Sequence, residues 1–383
     1  MITLIAFIVI LSLLVFVHEW GHFFVARRNG IKALEFGFGF PPRAVGIYKD
    51  ENGKWKTVWG SKDIEAPKTI YSINWIPLGG FVNIKGEAGD NFDPDSFPTK
   101  KIWQRFTVLV AGVTMNMVLA MVLLCIGFAI GLPQEIDSTN QMYQVKPAIL
   151  QVIMIDSGSP AAQAGLKLGD NILTINNITP ATVEDAQNLI KTSGDQKVNM
   201  VIKRHDQEQT LQIETKYDEQ TKTKRIGIAL SKVGIVAYPW YLAIPKGIKA
   251  TVFITRDILA AFYDLLHRLF IGKSISADVA GPVGIAVLTG QVVDLGWSYI
   301  LQFVALLSIN LAIINILPFP ALDGGRILFL IIEKIRRKPA NQKIEAIVHG
   351  VGFALLMLLI AFVTYKDIAR LSGGLWTKIM SLF

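Results

Sequence analysis

The chain has 383 residues, of which 51% are hydrophobic and 18% charged, with a net charge of +8 and a mean hydropathy of +0.42. So apolar a composition excludes an ordinary soluble domain and points to several membrane-spanning segments. Its positive balance does not point to nucleic acid, because the basic residues are dispersed and border apolar runs, as topology signals do.

The first apolar segment runs from about Ile2 to Ala26, and Met1 to Val17 carry no charged side chain. Val17-His18-Glu19-Trp20-Gly21-His22 follows at its inner end. Ionisable groups are costly in lipid, and where they occur they mark function. On a helix, positions i and i+4 share a face, so His18 and His22 can hold one metal ion, with Glu19 beside them to deprotonate a water. This is the H-E-x-x-H arrangement of zinc hydrolases. The alternative is a pair of polar residues packed inside a bundle, which would still need partners. A secretory signal is not expected, since the run lacks a basic n-region and a small-residue cleavage site. Arg27, Arg28 and Lys32 follow it, which predicts a cytoplasmic C-terminal end for this helix.

Next comes a stretch rich in Gly, Pro and aromatic residues, including Gly37 to Pro42 and Ile76 to Val82. Ala44 to Tyr48 and Thr69 to Asn74 read as short strands separated by turns. An apolar hairpin tip at Pro77 to Phe81 can enter the bilayer only if protein or a cavity satisfies its backbone, and an ordinary cytoplasmic loop is the alternative. Three further spans are expected, at Thr107 to Leu132, Trp297 to about Leu317 and Ile347 to Tyr365. The one cysteine, Cys125, lies in the second, so an intramolecular disulfide and a cysteine-based zinc site are both excluded. Lys100, Lys101 and Arg105 precede the second span, and Lys334, Arg336, Arg337, Lys338 and Lys343 separate the last two. With the N-terminus outside, both clusters are cytoplasmic.

Residues 145–236 read as a separate extramembrane module. Strands are expected at Val152 to Ile155, Asp170 to Asn176, Val198 to Lys203, Thr210 to Thr215 and Arg225 to Leu230. Helices are expected at Ser159 to Ala164, with Pro160 in the first turn, and at Val183 to Lys191. This mix suits a compact α+β or partly open barrel module. No catalytic constellation stands out in it, and His205-Asp206 reads as a solvated turn. Pro245 to Phe270 is an amphipathic helix, placed at the outer membrane surface or against the bundle. A fifth span there would reverse the sides of the third and fourth.

The third span contains Asn310 and runs into Asn315-Ile316-Leu317-Pro318-Phe319-Pro320-Ala321-Leu322-Asp323-Gly324-Gly325. Two prolines unwind the backbone there, and two glycines allow a sharp turn. No charged residue intervenes between Asp294 and Asp323, so Asp323 is expected near the depth of His18 and His22. Two histidines, one carboxylate and a water make a four-coordinate zinc site. Asp323 also suits the N-cap of a helix over Gly324 to Lys334, and the two roles are compatible.

These motifs resemble the bacterial site-2 protease family of intramembrane zinc metalloproteases, of the regulator of sigma-E protease type. The resemblance also rests on Ala111-Gly112-Val113-Thr114-Met115-Asn116 and Gly281-Pro282-Val283-Gly284-Ile285, and it covers nearly the whole chain. Gly158 to Ala162, Ala164 to Leu166 and Gly169 to Leu173 resemble a PDZ domain, with room for one. The resemblance implies one Zn2+ per chain held by His18, His22 and Asp323, with Glu19 as general base. It further implies that Asn315 and Asn310 hold an unwound substrate, and that Gly79, Gly80, Phe81 and Val82 pair with substrate by strand addition.

The fold expected is a polytopic α-helical membrane protein with four transmembrane helices, a membrane-associated β-hairpin region and one inserted extracytoplasmic PDZ-like α+β domain. Its divisions are 1–132, 145–236, 237–296 and 297–383. The expected reaction is cleavage of single-pass membrane proteins, such as anti-sigma factors pre-trimmed by another protease, or remnant signal peptides. The setting is the bacterial cytoplasmic membrane, with the lipid bilayer as partner, no nucleic acid, and the active site near the cytoplasmic side. A silent scaffold using its PDZ-like domain has no need of Glu19. A transporter would be expected to show an internal repeat, and the halves show none.

Overall fold

The computed structural model describes residues 2–380 apart from 63, 88–90, 138–139, 157, 194–196, 205–206, 219–222, 272–280 and 339–340. The turn expected at His205-Asp206 lies outside the described residues. The chain opens with α1 (Ile2–Arg28), β1 (Ala33–Lys49), β2 (Trp55–Trp59), β3 (Ile70–Ile84) and α2 (Ile102–Ile130). It continues through β4 (Leu132–Glu135), β5 (Gln144–Ile155), α3 (Pro160–Gln163), β6 (Asn171–Ile175), α4 (Val183–Thr192) and β7 (Val198–Arg204). Then come β8 (Gln207–Ile213), β9 (Lys216–Asp218), β10 (Thr223–Arg225) and β11 (Ile228–Val236). The last helices are α5 (Trp240–Phe270), α6 (Pro282–Leu295), α7 (Trp297–Ile316), α8 (Asp323–Arg336) and α9 (Gln342–Met380).

Two compact units result. The first comprises Met1–Leu124, Ile248–Gly290 and Phe303–Phe383. Among the described residues, four helices are long and apolar enough to cross a membrane: α1, α2, α7 and the Gln342–Ala369 part of α9. The chain is a multi-pass membrane protein. At the end of α1, Gly30 adopts φ +67°, and the Ile31 N–H returns to the Ala26 carbonyl at 3.0 Å. This closes the helix in the left-handed way that glycine allows. The start of α2 lies five residues before the expected Thr107. It ends before the expected Leu132, because Gly131 breaks the helix at φ +115° and Leu132 begins β4.

The region between the first two spans holds the expected strands and hairpin within two longer strands. Strands β1 and β3 are continuous over 17 and 15 residues, and each bends where its prolines stand. Val45 to Ile47 pair with Ile73 to Tyr71, and Phe36 to Phe38 pair with Val82 to Gly80. Phe36, Gly37 and Phe38 also neighbour Tyr71, Ser72 and Ile73. That arm of β1 therefore lies between two stretches of β3. Each strand folds back on itself around its prolines, so that its two arms run in opposite directions. The chain reverses at Pro77 to Gly79, as the expected hairpin does, while Gly80 to Val82 lie in its second, paired arm.

The second unit comprises Cys125–Gly247 and Gln291–Gln302. Its six-stranded sheet has the order β4-β11-β5-β6-β7-β8 with antiparallel pairings throughout. Val152, Ile175, Met200, Ile202 and Ile213 form its core with Ala186 and Ile190 of α4. A capping box starts α4, the Thr182 hydroxyl accepting from Asp185 N–H and the Asp185 carboxylate accepting from Thr182 N–H. Asp170 is buried and accepts two hydrogen bonds from Arg204, at 2.7 and 2.6 Å.

Candidate metal centre

Helix α1 presents His18 and His22 on one face, both buried. Its neighbour α2 comes against that face through two glycines. A methyl built on Gly21 would overlap the Ala111 carbonyl and Met115, and one on Gly112 would overlap both imidazoles. The third participant arrives from the loop after α7. Ala321 adopts φ +79°, and its N–H donates to His349 Nδ1 at 2.9 Å. Methyls on Gly324 or Gly325 would overlap the carbonyls of Leu317, Ile316 or Phe319, so only glycines let α8 start this close beneath the end of α7. The N-cap of α8 is Leu322, without a side-chain cap. Asp323 is instead the first helical residue. The capping role expected for it is not made, because its carboxylate turns to the imidazoles.

The geometry follows from these constraints. Asp323 Oδ2 lies 3.1 Å from His18 Nε2 and 3.3 Å from His22 Nε2, and the two Nε2 atoms are 3.1 Å apart. His22 Nδ1 is 2.8 Å from the Val108 carbonyl, which only accepts, so Nδ1 carries the proton. In the neutral ring Nε2 is then a lone pair. Asp323 Oδ2 is buried without a well-formed hydrogen bond. Lone-pair atoms converging in this way repel one another unless a cation sits among them. Tetrahedral ligands about 2.05 Å from a zinc ion stand about 3.3 Å apart. The donor set and spacing therefore fit a tetrahedral metal ion.

A family model described as peptidase family M50 matches residues 6–359. This chain belongs to peptidase family M50. Among its relatives, the regulator of sigma-W protease RasP of Bacillus subtilis is 32% identical, with 96% of this chain and 99% of that protein covered. The zinc metalloprotease RasP of Bacillus licheniformis is 31% identical with the same coverage. Of the solved structures, the PDZ domain of an SdrC-like protein from Listeria monocytogenes matches at 23% identity and TM-score 0.20, covering 21% of this chain and 85% of that one.

The remaining residues expected at the peptidase site are distributed unevenly. Glu19 follows His18 on α1 and packs by its Cβ toward Gly80. Asn315 Nδ2 is 3.5 Å from His18 Nε2. Asn310 instead spends its amide on the Leu306 carbonyl of its own helix, at 3.1 Å. Gly79 and Gly80 pack on Val15 and Phe16 of α1, and Ser12 ties this corner down. The Ser12 hydroxyl donates to the Pro77 carbonyl at 2.9 Å and accepts from Gly79 N–H at 3.2 Å. Phe81 and Val82 continue the strand opposite Gly37 and Phe36.

Sequence reasoning assigned no role to three contributors on α2: Gly112, the Val108 carbonyl and Asn116. The Asn116 amide lies 3.3 Å from His18 Nδ1, and its Oδ1 is buried without a partner. Exchanging the amide O and N gives that oxygen the Nδ1 proton and leaves Nε2 free to bind metal. The Ser308 hydroxyl of α7 donates to the Asn116 carbonyl at 2.7 Å. The resemblance over Ala111 to Asn116 marks this stretch without giving it a role, and the four-residue spacing of Gly112 and Asn116 matches that of His18 and His22.

Proposed function

We propose that this chain is an intramembrane protease that hydrolyses a peptide bond within, or at the edge of, a transmembrane segment of a single-pass membrane protein. That it is a zinc metallopeptidase follows from its family and from relatives named zinc metalloproteases. The observation that carries the finer reading is the convergence of His18, His22 and Asp323 beside Glu19, with both histidines on a helix apolar enough to span a membrane.

In this reading His18, His22 and Asp323 hold one Zn2+. When bound, the metal supplies Lewis acidity to the scissile carbonyl and makes the attacking water more acidic. Glu19 accepts the proton of that water and returns it to the leaving amine. Val108 and Asn116 fix the two rings so that each offers Nε2. Asn315, beside His18, hydrogen-bonds an unwound substrate; Asn310 is proposed to assist from one helical turn further up.

A helical substrate hides its carbonyls in i to i−4 bonds and must unwind before attack. Gly80 to Ile84 pair with Phe38 to Ala33 on one side, and β3 ends its sheet on the other. That open side, close to Glu19, supports capture of the unwound segment by strand addition at Gly79, Gly80, Phe81 and Val82. Helix-breaking residues in a substrate therefore favour cleavage.

Substrates of the anti-sigma-factor type, pre-trimmed by another protease, or remnant signal peptides complete the proposal, and a relative named regulator of sigma-W protease supports the first. Residues 145–236 serve as the extracytoplasmic PDZ-like domain, and the active site lies near the cytoplasmic face of the bacterial membrane. The test is cleavage of a single-pass substrate by purified protein, alongside metal content. Wild type is expected to bind one zinc and cut, Glu19→Gln to bind zinc without cutting, and Asp323→Asn to lose the metal. Cleavage by Glu19→Gln at the wild-type rate would overturn the assignment.

A further inference from the structure

Where α1 ends, a cavity of about 640 Å³ opens, with Arg27, Lys32, Lys49 and Lys68 in its lining together with Trp55 and Tyr71. The four cations come from four separate places: the last turn of α1, the approach to β1, the end of β1 and the approach to β3. Arg27 donates to the Tyr71 hydroxyl at 3.2 Å, Lys32 donates to the Ala66 carbonyl at 2.9 Å, and Lys49 Nζ lies 5.0 Å over the Trp55 ring. One carboxylate, Asp95, also lines the cavity, but it is bound to Lys85 at 2.6 Å. Asp93 and Asp95 together hold the Lys85 ammonium above its ordinary range. The balance facing the cavity is therefore strongly positive.

Topology requires only positive charge behind a span. It does not require cations from four segments to converge on one hollow with an aromatic wall. The depth of the hollow indicates what it meets. Gly30, Ile31 and Ala33 line it, two to five residues past the end of α1. That places it within the headgroup layer, which adds roughly 5–8 Å to each side of the hydrocarbon. Trp55 and Trp59, exposed by 56% and 71%, are of the residue type enriched at that level.

We propose that this cavity binds the phosphate headgroup of an anionic glycerophospholipid. Arg27, Lys32, Lys49 and Lys68 surround the phosphate, and the indole of Trp55 packs beside the glycerol and upper acyl chain. The site anchors the β1–β3 sheet to the membrane surface at the end of the helix that carries His18 and His22.

The test uses the full-length protein in detergent, titrated with phosphatidylglycerol or phosphatidylcholine of the same chains and read by native mass spectrometry. Each basic residue near an anionic surface contributes roughly fivefold in affinity, so Lys49→Gln with Lys68→Gln is expected to weaken phosphatidylglycerol binding about thirtyfold. Phosphatidylcholine binding should not change. Replacing the same two lysines by arginine should keep the preference, as should Lys54→Gln with Lys56→Gln, which lie outside the cavity. Equal retention of the two lipids by wild type, or unchanged phosphatidylglycerol binding in the glutamine pair, would overturn the proposal. So would displacement of the lipid by an equal concentration of glycerol 3-phosphate, which would mark a site for free phosphate. Tighter binding of a soluble glutamate-rich peptide than of lipid at these lysines would overturn it in favour of an acidic protein segment.

Discussion

Gly112 carries no functional group, yet no other residue fits where it stands. Its Cα faces both imidazoles so closely that a methyl would overlap His22 Nε2 and His18. Gly112→Ala is therefore expected to displace the rings rather than unfold the helix. A displacement of about 1 Å at a reacting centre costs about a hundredfold in rate. Metal content and proteolysis should both fall while thermal unfolding stays near wild type; normal zinc and activity would show that the helices separate without cost. Asn116 makes a sharper prediction. If its oxygen accepts the His18 Nδ1 proton, Asn116→Asp keeps that acceptor and Asn116→Ala removes it. Loss of such an outer partner typically lowers metal affinity 10–100-fold. A zinc-chelator competition should then show Asn116→Ala weakened by that factor and Asn116→Asp close to wild type. Equal weakening in both would mean that the amide nitrogen is the group that matters.

At the scale of elements, the pairing of His18 with His22 was legible because helical periodicity is local. The arrival of Asp323 was partly legible, since prolines and glycines announce a turn but not where it points. The strand order was only partly legible: Pro41, Pro42 and Pro77 announce the turns, but not that Phe36 to Phe38 insert between the two arms of β3. Contacts of α2 with the histidines were hidden for another reason, because a glycine in an apolar helix looks like any other small residue. The sheet module offers a test of what holds such an element together. Asp170 is 1% exposed and leans on Arg204 and on the Lys167 N–H at 2.7 Å. Arg204→Leu strands a buried carboxylate, which typically costs 3–5 kcal/mol. Hydrogen exchange in the full-length protein should show β6 and β7 deprotected by about that amount and α1 unchanged. Protection that stays at the wild-type level would mean that water replaces the guanidinium. In the other unit, Ser12→Ala removes both bonds that hold the Pro77–Gly79 corner. A buried group left unsatisfied costs about 1–3 kcal/mol, so faster exchange should be confined to that corner, with a higher KM for a membrane substrate.

For the whole molecule, the excess of positive charge becomes a statement about orientation. Arg27 and Arg28 close α1, Lys100, Lys101 and Arg105 surround the start of α2, and Lys334, Arg336, Arg337, Lys338 and Lys343 lie between α7 and the apolar part of α9. In the proposed topology, four spans threaded alternately put all three clusters on one face, which the positive-inside rule would make cytoplasmic. That proposed topology then puts residues 145–236 on the opposite side of the membrane, where a trimmed substrate ectodomain would be met. Cys125 is the one native cysteine, so a Cys125→Ser background makes sidedness measurable. Lys54→Cys, at the exposed turn before β2, should react with a membrane-impermeant maleimide only after the cells are opened. Glu208→Cys, exposed on β8, should react in intact cells. The reverse pattern would place the metal centre near the outer face and remove the reason for prior trimming outside. Labelling of both in intact cells would mean that the number of crossings between them is even, so that α2, the one apolar helix between them, does not span as threaded here.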